Sequence, residues 1–357
     1  MIRKKNSFDF LRLLFASLVI VTHSYPLSGI IECDFLCQIT NSQISFSNIS
    51  VKSFFVISGY LIFQSFERSD NVFDYLWKRI LRLYPGLIVV LILTILLSPF
   101  VYQSKVPMLE NETLKSYIPN NISLLYIQFS VEGIFEKNPY KSSINGSLWT
   151  ITYEVIMYFF LTVFFAFRKK TVLIKSTLIL FYIGLFIGET LFLDFFNTFN
   201  NLILGTQLLD LSLFFIAGSL LAAFKIEQMN NQMSILILAL FAYVTSIYFN
   251  INAEVKYILL PIIVILTGLK SIPYLSDISH KIGDLSYGVY IYGFVIQQTL
   301  MHFFKLNCNL LIIYSLIISY FFAFLSWHLV EKQALKLKNI SLFKSVNTIS
   351  YKKPLYK

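Results

Sequence analysis

Ten stretches of 17 to 22 residues, each almost unbroken in apolar side chains, alternate with shorter polar segments along the chain. They lie near residues 8–27, 50–66, 84–103, 147–167, 171–192, 203–224, 233–250, 255–271, 285–303 and 309–329. About 20 residues of helix cover the ~30 Å of a bilayer's hydrocarbon core, and a helix satisfies its own backbone polar groups where no water can. The pattern predicts an all-α protein, a polytopic transmembrane helical bundle of about ten spans. The first stretch follows a basic start, as a signal peptide would, but it contains Asp9, Arg12 and His23. A cleaved apolar segment has no need of these, so a retained helix is expected.

Composition agrees: of 357 residues 56% are apolar and 13% charged, whereas a soluble domain carries about a quarter of its residues as charges. The net charge of +10 points to topology before it points to nucleic acid, because Lys and Arg collect in cytoplasmic loops. Arg3-Lys4-Lys5, Arg68 with Lys78-Arg79 and Arg82, Arg168-Lys169-Lys170, Lys225, Lys281 and the Lys-rich end fall on one side of a ten-span arrangement. Both termini are then cytoplasmic and the long loop 104–146 is outside. The expected domains are a membrane domain over 1–331 and a basic cytoplasmic tail over 332–357, too short for an appended soluble domain. Cys33, Cys37 and Cys308 fall outside; three cysteines leave one over, so free thiols are expected rather than a Cys33–Cys37 bridge.

Ionisable residues within spans usually face the bundle interior and mark a site. Arg12 and His23, eleven residues apart, share one helix face ~16 Å apart along the axis; snorkelling to the headgroups and simple helix capping are the plainer uses. Ser58-Gly59 offers small residues where a helix or a ligand approaches closely. Arg79 and Arg82, at i and i+3 just before Pro85 opens the third span, present two donor forks suited to phosphates, besides serving as a topological signal. Thr150, Glu154 and Tyr158 form an inward stripe at whose start stands Trp149, and Asp210 lies in the same outer half. Glu154 is expected at a depth similar to that of His23. No nucleophile elbow, phosphate loop or His/Cys metal cluster is seen.

Taken in order, Asp9-Phe10-Leu11-Arg12, His23, Phe54-Phe55 with Ser58-Gly59, Arg79-x-x-Arg82, Trp149 with Glu154, Leu285-Ser286-Tyr287-Gly288-Val289-Tyr290 and Leu329-Val330-Glu331-Lys332 resemble the acyltransferase-3 family over nearly the whole chain. These are bacterial membrane O-acyltransferases of lipopolysaccharide, capsule and exopolysaccharide. The resemblance implies a multi-pass protein of the bacterial inner (plasma) membrane that moves an acetyl group from cytoplasmic acetyl-CoA to a carbohydrate acceptor, free or lipid-linked, with no metal. It implies essential roles for Arg12, His23, Arg79 and Arg82. Lys52 stands where many members are acidic, and Gly293-Phe294-Val295 where many have His, an apolar residue and Pro, which bears on subgroup and acceptor. Members with a fused extracytoplasmic domain complete transfer there; this chain would transfer directly or hand over to a separate polysaccharide-assembly protein.

On this basis His23 would act as base, with Arg12 and Glu154 beside it in the catalytic set. Arg79, Arg82, Ser58 and Gly59 would hold the donor, and Trp149 and Asp210 the acceptor. An acyl-His23 intermediate and direct transfer both remain open. The rival is a transporter or flippase for an anionic or lipid-linked sugar, with His, Glu and Asp as a proton relay.

Overall fold

The computed structural model describes residues 6–199 and 205–339, and structural statements below refer to these. Arg3-Lys4-Lys5 and residues 340–357 of the basic tail lie outside them, so the cytoplasmic placement of the termini keeps its sequence basis alone.

Fifteen α-helices follow in chain order: α1 (Phe8–Leu27), α2 (Phe35–Ile39), α3 (Phe46–Arg68), α4 (Val72–Val101), α5 (Glu112–Ser123), α6 (Trp149–Thr162), α7 (Thr171–Leu191), α8 (Leu193–Asn197), α9 (Thr206–Ala223), α10 (Gln232–Tyr248), α11 (Asn252–Leu269), α12 (Ile278–Ile282), α13 (Ser286–Phe304), α14 (Cys308–Ser326) and α15 (Lys332–Lys336). Eight helical segments, those containing α1, α3, α4, α6, α7, α9, α11 and α14, are long and apolar enough to cross a membrane. The shorter α10, of 17 residues, and α13, of 19 residues with three tyrosines and two glutamines, occupy the other two predicted stretches.

Helix α1 packs between α3 and α13, and α3 lies closely along α9. The α3–α9 approach depends on glycine: a Cβ on Gly59 would stand 1.9 Å from the Phe215 carbonyl oxygen, and one on Gly218 2.1 Å from that of Val56. Small residues at a crossing let membrane helices approach closely. Polar links complete the bundle, among them Ser17 Oγ to Tyr320 Oη at 2.8 Å and the Gln297 amide to the Ile20 carbonyl at 2.8 Å.

Two expectations change at the helix ends. Helix α4 starts at Val72, its first turn capped by the Asn71 side chain accepting from the Asp74 N–H at 2.8 Å, and it runs on through Pro85 rather than beginning there. Proline removes its own N–H bond to the preceding turn, a local loss that the flanking residues absorb. Arg79 and Arg82 are therefore on the same helix as the span that follows. Cys33 and Cys37 are joined by a disulfide and only Cys308 is free, against the expectation of free thiols: Asp34 caps α2 by accepting from the Cys37 N–H, and the turn so formed brings i and i+4 together.

The segment between α4 and α6 is folded rather than loose. Asn111 accepts from the N–H groups of Thr113 and Leu114 to start α5, while its amide donates to the Glu132 carbonyl. Tyr117, Val131, Phe135 and Ile144 are buried beneath it. Asn138 ties it to Gln298 and Asn145 to the Ile291 carbonyl of α13.

Candidate active site

A cavity of about 460 Å³ opens between the C-terminal part of α3, the N-terminal part of α4, α6 and the chain near Lys338. Six basic side chains face it, Arg12, Arg68, Lys78, Arg79, Arg82 and Lys338, against the single carboxylate of Glu154. A narrower chamber of about 60 Å³ shares Arg12, Ser58 and Glu154 as walls and runs on toward Phe54 and Tyr290. Charge so concentrated among low-dielectric walls favours an anionic ligand.

The basic residues differ in what holds them. Asp284, in the turn before α13, accepts from both Arg12 Nη1 at 3.1 Å and Arg82 Nη2 at 2.6 Å on one oxygen, while Ser286 Oγ donates to the other at 2.8 Å. Burial would push the Asp284 carboxyl up, but the two guanidiniums outweigh it and hold it below the usual carboxylate range. Arg82 also stands 4.0 Å from Glu331, whose side chain is buried and receives the Ser326 hydroxyl at 2.8 Å. Arg79, by contrast, donates to a hydroxyl alone, Ser65 Oγ at 3.2 Å, between the rings of Tyr75 and Tyr158, and its buried Nε has no partner. Arg82 is thus a member of an ion-paired set, and Arg79 has donors to spare.

Glu154 accepts from Ser58 Oγ at 2.9 Å and Tyr158 Oη at 2.5 Å. It shares a wall with Arg12, and among the described residues no hydrogen bond joins it to His23. His23 lies beyond the narrow chamber, its ring edge-on to Phe294 at 5.6 Å, and it lines neither cavity. Between them, Phe54 packs edge-on against Phe15 at 6.1 Å and Tyr290 at 5.7 Å, and Tyr290 Oη meets Thr150 Oγ1 at 2.8 Å.

The remaining candidates separate. Ser58 lines both cavities, whereas its neighbour Gly59 is turned to α9, the helix-packing role. Trp149 packs edge-on against Tyr153 and lines neither cavity. Asp210 accepts from Tyr257 Oη at 2.8 Å and lies 3.5 Å from Lys52 Nζ and 3.9 Å from Lys256 Nζ, away from both chambers. Asp284 is the functional candidate that sequence pattern missed. It sits one residue before the Leu-Ser-Tyr-Gly stretch and outside the apolar run, so nothing marked it as facing Arg12. Among the described residues no group of three His, Cys, Asp or Glu side chains is arranged to hold a metal ion.

A helical membrane bundle encloses a cationic vestibule that shares walls with a narrower polar and aromatic chamber, an arrangement suited to chemistry within the membrane. The chain belongs to the acyltransferase-3 family, whose acyltransferase domain matches residues 5–330. It is 28% identical over 341 residues to an O-acetyl transferase of Shigella phage Sf6, covering 93% of this chain and 96% of that protein. It is 26% identical over 363 aligned positions to Nodulation protein 10 of Rhizobium leguminosarum bv. viciae, covering 94% of each. No solved structure matches. The protein is thus a membrane acyltransferase, and the transporter alternative is set aside.

Proposed function

We propose that this membrane O-acetyltransferase takes its acetyl group from acetyl-CoA on the cytoplasmic side and delivers it to a hydroxyl of a cell-surface polysaccharide or lipid-linked sugar, in the bacterial inner membrane. The observation that carries the reading is the gradient along one path: a basic vestibule able to hold phosphates, then a narrow channel, then His23 near the opposite end of α1. Planar guanidinium groups grip phosphate oxygens in pairs, and Arg79, with unused donors, is the residue best placed to do so. Arg12 and Arg82, balanced by Asp284, keep the vestibule's shape and field. Ser58 and Glu154 mark where the pantetheine arm enters the channel.

At the far end His23 takes the proton of the attacking sugar hydroxyl as its oxygen bonds to the thioester carbonyl. The C–S bond then breaks and the proton passes to the departing thiolate. A base in hydrogen-bond reach with suitable pKa is worth ~10²- to 10⁴-fold. Phe54 and Tyr290 narrow the passage to the width of a thioester arm and exclude bulk water from it. The phage O-acetyl transferase, which matches over almost its full length, supports acetyl as the group moved and oxygen as its destination.

The test is transfer of radiolabel from acetyl-CoA to polysaccharide by membranes containing the protein. Label on the acceptor that base releases as acetate is expected, and it disappears in His23→Ala membranes. Transport of intact polysaccharide without label transfer would refute the proposal.

A further inference from the structure

A second cavity, of about 240 Å³, opens at the other end of α3 from the vestibule, between the chain around Gln43, the start of α3, the end of α10 and the start of α11. Lys52 and Ser65 are thirteen residues apart on α3, which separates this cavity from the vestibule by ~20 Å along the helix. It lies beside the Cys33–Cys37 end of the molecule. Its lining is mixed: Asn48, Lys52, Asn250, Asn252 and Lys256 supply polar groups, and Tyr243 with Ile44, Ile49 and Leu260 an apolar side. Small-molecule sites run from ~300 Å³ upward, so this one suits a single sugar ring.

Its charge is arranged asymmetrically. Lys52 and Lys256 line the cavity; Asp210, which both approach, does not. At 3.5 and 3.9 Å these contacts are longer than the ~2.7–2.9 Å of a charge-assisted hydrogen bond, and among the described residues no other hydrogen bond uses either ammonium. Asp210 is drawn to Tyr257, whose hydroxyl also contacts Glu189 at 3.0 Å, so both carboxylates sit behind the lysines. An entering ligand meets two ammonium groups that share the one Asp210 carboxylate and lie over the rings of Phe214 and Tyr257, each with donors left over and amides close by. Lys52 is 7% exposed, and a buried cation with incomplete pairing is costly; an anion between the two lysines would complete it.

We propose that this cavity is a subsite for a carboxylate-bearing sugar of the acceptor, so that the enzyme prefers acidic polysaccharides and holds them by a residue away from the acetylated one. The amides and Tyr243 would contact the ring and its hydroxyls, and Lys52 and Lys256 the carboxylate. The inference rests on the acceptor being a sugar, but its test reads binding and not acetyl transfer.

Purified full-length protein in detergent is titrated with sodium glucuronate and with glucose, followed by saturation-transfer NMR, and inorganic phosphate is added as a competitor whose effect is read on the glucuronate signal. Glucuronate should bind at least tenfold more tightly than glucose, and Lys256→Gln should remove that preference while Lys256→Arg keeps it. Asn250→Asp, at an exposed turn with φ of 57° that aspartate tolerates, should weaken glucuronate tenfold and leave glucose unchanged, giving a second measure if Lys256→Gln does not accumulate. His23→Ala should bind glucuronate as the wild type does, which separates this site from the transfer chemistry. Equal binding of glucuronate and glucose, displacement of bound glucuronate by an equal concentration of phosphate, or an unchanged preference in both Lys256→Gln and Asn250→Asp would overturn the proposal.

Discussion

Replacing Asp284 by Asn keeps its shape and removes the one carboxylate that Arg12 and Arg82 share. Both guanidiniums are largely enclosed, with side chains 21% and 16% exposed, so water in the vestibule replaces the lost carboxylate only in part. Removing one partner of a buried ion pair costs ~3–5 kcal/mol, chiefly the penalty of the charge left behind, which is roughly 150- to 5,000-fold in the folded population. Glu331 offsets part of this for Arg82, at 4.0 Å, but Arg12 gains nothing. The loss should be clear in a heated-detergent assay that follows the monodisperse peak by size exclusion. Because the folded-state carboxyl is held below its ordinary value, its contribution is fully present above about pH 4, the unfolded pKa, and declines only as pH falls through the lower folded value. The difference between wild type and Asp284→Asn should therefore be flat from pH 5 to 8. Pairing Asp284→Asn with Arg12→Met should recover stability, since the stranded charge is removed with its partner. Wild-type thermal behaviour in Asp284→Asn would refute the assignment of Asp284 as counterion.

Arg79→Lys keeps the positive charge but loses the fork, so the acetyl-CoA KM should rise about 10- to 150-fold, from ~1.5–3 kcal/mol of charge-assisted hydrogen bonding, with cysteine labelling showing unchanged topology; an unmoved KM would leave Arg79 a topological residue. His23→Ala should abolish transfer at near-normal membrane abundance, because the ring makes an edge contact and no hydrogen bond among the described residues; wild-type rates in normally abundant protein would end its role as base. Gly59→Ala drives a methyl group into the Phe215 carbonyl and should cost ~1–3 kcal/mol of overpacking, seen as lower abundance and melting temperature, whereas Gly184→Ala, with open space around its Cβ, should be neutral.

The helices were legible because an apolar run of membrane length has few alternatives: once backbone groups must pair internally, length and hydropathy decide the element. What lay beyond the period of the pattern was harder to see. Pro85 suggested a helix start, yet one missing N–H does not end a helix whose earlier turns are capped by Asn71. Arg12, Ser58 and Glu154 were marked as polar residues in apolar surroundings and do meet at one cavity wall. Glu154 was expected near His23 because both were counted to a similar depth, and equal depth on two helices does not say which side chains face one another. Asp284 escaped notice since it lies in a polar turn, where an acidic residue is unremarked, and its partner is 272 positions away. Asp210 was visible as a buried charge, but the lysines that face the cavity in front of it came from separate helices that no local spacing connects.

That separation of 272 residues sets an order of assembly. Arg12 is synthesised 272 residues ahead of Asp284 and reaches the membrane before it. At ~5–20 residues per second of synthesis, Arg12 waits roughly 15 to 55 s for the carboxylate that balances it. Helix α1 must enter the bilayer carrying an unpaired guanidinium, and the strap from Asn138 to Gln298 waits comparably, over 160 residues. The narrow chamber gains its Tyr287 and Tyr290 wall only when α13 arrives, and the vestibule its Leu335 and Lys338 wall later still, so a ribosome stalled just before α13 leaves most of the spans and neither chamber complete. Completion of both chambers is thereby tied to near-completion of synthesis, and a chain stopped earlier holds the Arg12 guanidinium without the carboxylate that balances it.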